Sequence, residues 1–322
     1  MISIRSLAFR GALVASLASM GAAAAIAAVP SADRPKPAAV ETIASMRVEE
    51  YGSGSPAMVF VPGLSCGSWV WDDAVRRYAK THAVYVVTLP GFDGVPAVKP
   101  ASGSRLDAAD ASLLALITQK HLDRPILVGH SMGGFLVIRF GTEHSDLVRG
   151  IVAVDGLPVF PTLVDTPPER RKVVADATDA SLAGLSADDY AKAQTDVISG
   201  MVTDPAMVPR VAALTAKADP AAVGAFAGAL FASDVRPQLS KLTAPTMEIA
   251  PVPTEPTAFE GPQAAKAGPD ARAESYRTFY ASLFPDAPHV TVVPIANSRH
   301  FVMVDQPAAL YDRIDAFIAT LQ

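Results

Sequence analysis

Three residues of this chain have the types and order that nucleophilic catalysis needs. Ser131 stands in "LVGHSMGG", Asp155 in "IVAVDGLP" and His300 in "SRHFVMVDQP". A serine hydroxyl is a weak nucleophile until a base takes its proton, and a carboxylate behind the base fixes its tautomer. The G-x-S-x-G pentapeptide recurs by chance, so its flanks decide. "PILVG" before Ser131 reads as a strand and "MGGFLVIRF" after it as a helix. A sharp strand-to-helix turn lifts the serine Oγ above the sheet edge, and glycines at 129 and 133 remove side chains that would clash. The N–H of Met132 at the helix start is one candidate oxyanion donor. The N–H of Leu64 in "FVPGLSCGSWVW" is the other, because Gly63 allows a close backbone approach.

Among the six histidines, His82 and His289 fall at strand starts, and His121 and His144 at helix ends. His130 adjoins the serine but is expected to point away from a triad. His300 alone follows the last predicted strand, where a base belongs. The acid has more than one candidate. Asp155 ends a strand and can reach the His300 loop, whereas "PVPTEPTAFEGP" holds only Glu255 and Glu260. Leu64, Trp69, Trp71 and Phe92 are candidates for an apolar pocket mouth, and each aromatic could equally be plain core.

Strands are predicted at 46–51, 57–61, 83–88, 125–129, 150–155, 245–250 and 289–295, with helices between most of them. Continuous apolar strands separated by helices imply a mostly parallel, doubly wound α/β sheet covered on both faces. From 157 to 242 only helical periodicity remains. That block is expected to be a helical cap inserted into a core formed by 43–156 and 243–322. "GSGSPA" precedes a strand and contains Pro56, so it reads as a turn and not a dinucleotide fingerprint.

Residues 1–28 differ in kind. Arg5 and Arg10 precede an apolar run that ends in Ala25-Ile26-Ala27, the pattern of a cleaved secretory signal. A retained anchor is the alternative. A Pro-rich linker is expected at 29–42. Cys66 is the only cysteine, so no internal disulfide can form, which suits a bacterial periplasmic or secreted enzyme. A net charge of −5 over 322 residues argues against a nucleic-acid surface. With no H-E-x-x-H, cysteine cluster or Walker sequence, neither a metal nor a nucleotide cofactor is expected.

The segments "VPGLSCGSWVWDD", "VVTLPGFDGVPA", "LVGHSMGGFLV", "IVAVDGLP" and "SRHFVMVDQP" resemble signature segments of the α/β-hydrolase superfamily. More narrowly they resemble exported bacterial members. The resemblance implies an eight-stranded-type sheet, a helical cap and a cofactor-free Ser–His–Asp site. It matches Ser131 to the nucleophile, His300 to the base, and Leu64 and Met132 to the oxyanion donors. The chain departs from the pattern twice. Pro62-Gly63 replaces the common His-Gly, and no Asp follows "PTMEIA", which moves the acid to Asp155. The expected activity is hydrolysis of a small carboxylic ester, with lactones and thioesters as variants. C–C bond hydrolysis, acyl transfer and perhydrolysis use the same site, and a ligand-binding pseudoenzyme is the reading from another class.

Overall fold

The wholly apolar strand segments sit at the centre of the sheet. In a computed structural model that describes residues 34–255 and 268–321, β3 (Met58–Val61), β5 (Ile126–His130) and β6 (Gly150–Val154) are buried at every position. They join β1 (Ala39–Ile43), β2 (Met46–Tyr51), β4 (Val84–Thr88), β7 (Thr246–Val252) and β8 (Val290–Ala296) in one eight-stranded sheet, ordered β1-β2-β4-β3-β5-β6-β7-β8. The β1–β2 and β2–β4 pairs are antiparallel and the other neighbours parallel. Side chains alternate between two apolar cores, Leu127 facing one and Ile126 and Val128 the other. This is the doubly covered α/β sheet that the sequence implies.

One strand was not predicted. Residues 39–42, expected to be linker, form most of β1, which pairs with β2 from Ala39 opposite Glu50 to Ile43 opposite Met46. Only Ile43 in it is buried, so "AVETI" carries no continuous apolar run to announce a strand. The signal-like segment 1–28, and the linker up to residue 33, lie outside the described residues. No helix among the described residues is long and apolar enough to cross a membrane.

Helices α1 (Asp72–Tyr78), α2 (Arg105–Gln119) and α3 (Met132–His144) connect the first parallel strands. Ser104 starts α2 through a reciprocal capping box with Asp107. Between β6 and β7 come α4 (Pro168–Ala183), α5 (Ala187–Ser199), α6 (Val208–Thr215) and α7 (Pro220–Ala232). The Ser186 side chain accepts from Asp189 N to begin α5, and Asp219 accepts from Ala222 N to begin α7. The chain then runs through β7, α8 (Pro269–Ser282), β8, α9 (Val302–Asp305) and α10 (Pro307–Ile318). The carboxyl ends of β3, β5, β6 and β8 lead into the segments carrying Leu64, Ser131, Asp155 and His300. Open parallel sheets present their ligand crevice at that edge.

Candidate active site

Ser131 is forced into its position by the turn between β5 and α3. Its backbone has φ 55° and ψ −122°, a conformation that non-glycine residues adopt only at a cost of about 1–3 kcal/mol. Ser131 N donates to Val154 O of the neighbouring strand β6 at 2.9 Å, which ties the turn to the sheet. A Cβ on Gly129 would lie 2.1 Å from Gly133 O, and one on Gly133 would lie 2.4 Å from Val61 O, so neither position admits a side chain. A further pair was not anticipated. Gly134 and Gly156 meet backbone to backbone, where a Cβ on either would come within 2.6 Å of the other's Cα. That contact sets α3 directly against the turn carrying Asp155.

The Asp155–His300 pairing is explicit in the structure. His300 Nδ1 donates to Asp155 Oδ2 at 2.6 Å, which leaves ring nitrogen Nε2 for other work. The second carboxylate oxygen is held from the opposite side, where Tyr280 OH donates to Asp155 Oδ1 at 2.5 Å. Burial pushes the Asp155 carboxyl up, but the hydrogen bond and charge of His300, the Tyr280 bond and His130 outweigh it. Its pKa is lowered, and the group stays ionised at neutral pH. Glu255, the alternative acid, is exposed, and Glu260 lies outside the described residues.

His130 does have a role near the base. Its Nε2 donates to the His300 backbone carbonyl at 3.0 Å, and the two rings lie 4.6 Å apart. Burial, reinforced by the neighbouring His300, drives the His130 pKa down to about 3 and keeps the imidazole neutral. His300 is also fixed through its loop. Arg299 N donates to Asp305 Oδ2, and Thr203, beyond α5, donates to the same carboxylate from its N–H and its hydroxyl.

Leu64 and Met132 both line the cavity with Ser131 and His300. Met132 is the first residue of α3, so its N–H has no partner within the helix. In the β3 loop the turn is closed by Cys66 N donating to Gly63 O at 3.1 Å, and the Leu64 N–H has no backbone acceptor among the described residues. Gly63 lies against the nucleophile, since a Cβ there would be 3.0 Å from Ser131 Cβ. Cys66 shares the wall, and burial pushes its thiol pKa up, so it carries no thiolate.

The aromatic candidates fare differently. Trp71 is fully buried against Phe60, with ring centroids 5.2 Å apart, and Phe92 against Phe226 at 5.2 Å. Neither lines the cavity: Trp71 packs in one of the two cores and Phe92 in the other. Trp69 does not line it either, but stacks on Phe301, which does. Instead the wall comes from the block between β6 and β7, including Phe160, Leu182, Val223, Leu230 and Phe231. The cavity encloses about 520 Å³, the size of a small-molecule site.

Beneath Asp155 lies Glu248 of β7, which has no solvent exposure and accepts from Gly156 N at 3.1 Å through Oε1. Burial first, and then the charge of Asp155, raise its pKa well above the usual glutamate value near 4.5. Because ionisation is disfavoured only in the folded state, folding takes up a proton as pH rises past that value. Stability contributed by the neutral form is therefore full below it and is lost upward. As pH rises from about 5, wild type should lose stability relative to Glu248→Gln, by at most about 1.4 kcal/mol per pH unit. Urea unfolding of both proteins at a series of pH values checks this, and parallel stability curves would refute it.

A model of the alpha/beta hydrolase family matches residues 58–313. The pimeloyl-[acyl-carrier protein] methyl ester esterase of Aeromonas hydrophila is 28% identical over 131 residues, covering 41% of this chain and 49% of that protein. The chain thus spans about half the length of that curated relative. Two solved structures share the fold. A hydrolase from Pseudomonas aeruginosa aligns with a TM-score of 0.68 at 15% identity, over 87% of this chain and 98% of that one. The enol-lactonase from Burkholderia xenovorans aligns with a TM-score of 0.64 at 15% identity, over 87% of this chain and 100% of that one.

Proposed function

The chain belongs to the alpha/beta hydrolase family, and from that premise we propose that it is a serine hydrolase that cleaves a carboxylic ester or lactone through an acyl-enzyme. The observation that carries this reading is the hydrogen-bonded His300–Asp155 pair on the wall of the cavity that Ser131 lines. Ser131 Oγ attacks the ester carbonyl carbon while its proton passes to His300 Nε2. Ionised Asp155 stabilises the imidazolium, and the N–H groups of Leu64 and Met132 hold the oxyanion. Collapse of the tetrahedral intermediate breaks the bond to the alkoxy oxygen, which takes the proton from His300. Water then gives up a proton to His300 and attacks the acyl carbon. Ser131 leaves with that proton, and the acid is released.

In the same reading the block from α4 to α7 is a cap that closes over the cavity. Residues 1–28 are an export signal that places the mature enzyme in the periplasm or outside the cell. Reaction with a fluorophosphonate tests the site directly. Folded wild type should be labelled at Ser131 and Ser131→Ala should not, as read by intact mass. Folded wild-type protein that resists the label and hydrolyses no member of an ester and lactone panel would end this reading.

A further inference from the structure

One side-chain amide on the cavity wall makes no hydrogen bond among the described residues. It belongs to Gln194 of α5, which is only 7% exposed. Polar groups inside a protein are normally matched by a hydrogen-bond partner. Three other polar side chains of the cavity are paired within the protein. Ser65 and Tyr190 hydrogen-bond to each other at 2.6 Å, and the Thr215 hydroxyl donates to carbonyls of its own helix.

The position of Gln194 follows from how α5 is tied. Tyr190, Gln194 and Ile198 repeat every four residues, which puts them on one helix face, and all three line the cavity. Tyr190 is bound to Ser65, beside the candidate oxyanion donor Leu64. Beyond the other end of the helix, Phe301 N donates to Met201 O at 3.1 Å, next to the base. The α5 segment therefore bridges the two loops of the site, and Gln194 stands about 6 Å along the axis from Tyr190, inside that span.

The charge of the wall is equally specific. Among the described residues no Lys or Arg lines the cavity, and the carboxylate and imidazoles there are those of Asp155, His130 and His300. A substrate carboxylate or phosphate would be buried there without a cation.

Building on the serine-hydrolase reading, we propose that the substrate is an uncharged ester or lactone with an apolar body and one amide group, which pairs with the Gln194 side chain. An amide can meet Gln194 at either end, its carbonyl accepting from the Gln194 NH2 or its N–H donating to Gln194 Oε1. Gln194 is then a specificity residue that acts on binding and not on bond breaking.

The test uses methyl esters of straight-chain acetamido acids, from acetamidoacetic to acetamidohexanoic, each against the hydrocarbon ester of equal chain length. For at least one pair, the ratio of kcat/KM for the amide ester to that of its hydrocarbon match should fall about tenfold or more in Gln194→Leu. That fall should lie in KM. The half-ester of a dicarboxylic acid of equal length should be about a hundredfold poorer than the amide ester in wild type. Fluorophosphonate labelling of Ser131 checks that the variant site is intact, and Gln194→Met replaces it if Gln194→Leu does not fold. Ratios that stay within about twofold across the series overturn the proposal, as does an equal loss of kcat on both ester kinds or a half-ester that is cleaved as well. If wild type cleaves the hydrocarbon esters while the ratios stay flat, only this inference fails. If it cleaves no ester and takes no label, the serine-hydrolase reading fails first.

Discussion

Ser131→Ala is expected to lower kcat for ester hydrolysis by about 10⁶-fold while the protein stays folded. The loss is that large because the residue does something its neighbours cannot replace. Cys66, on the same cavity wall, is kept as a thiol by burial. A second substitution separates chemistry from architecture. Ser131 sits at φ 55° and ψ −122°, where a Cβ is strained and glycine is not. Ser131→Gly should therefore be as inactive as Ser131→Ala but more stable than wild type, by about 1 kcal/mol. Urea midpoints of the three proteins, with steady-state rates on one good ester, check both statements. Residual activity in Ser131→Ala above about 1% would remove Ser131 from the role of nucleophile.

That strain explains why this part of the site was readable in the sequence. A strand, a serine between glycines and a helix form a local pattern, and the backbone clashes that demand the glycines are set within a few residues of one another. The α/β alternation was readable for the same reason, since fully buried parallel strands are written as short apolar runs. What escaped depends on contacts between distant segments. Tyr280 reaches Asp155 across 125 residues, and nothing in "ESYRTFYASLF" distinguishes it from Tyr276. Glu248 looks like an ordinary charged residue in "PTMEIA", and only the sheet order shows it beneath the acid. Trp71 and Phe92 are pocket candidates because large aromatics often line pockets, but residue type alone does not say which face of a layer they join. Gln194 is the converse case, a polar residue on the buried face of α5 that lines a cavity and does not face open water.

Asp155→Asn should lower kcat by about 10³–10⁴-fold and leave KM nearly unchanged, because the group acts on the base and not on the bound ester. Two losses contribute. The imidazolium formed during attack no longer faces a negative charge. The amide can also present its NH2 to His300 Nδ1, which forces the proton onto Nε2, where the base must be bare. Tyr280 decides how severe the second loss is. Its hydroxyl donates to Asp155 Oδ1 in wild type, but a hydroxyl can also accept. In Asp155→Asn it can take the NH2, leaving the amide oxygen to hold His300 in the working tautomer. Asp155→Asn combined with Tyr280→Phe should consequently be about tenfold worse than the product of the two single effects, since the phenyl ring offers no acceptor. Glu255→Gln, at an exposed position on the other candidate loop, should change kcat less than twofold. A drop below about tenfold in Asp155→Asn, or a large one in Glu255→Gln, would reassign the acid, and strictly multiplicative effects in the double variant would show that Tyr280 does not govern the amide orientation.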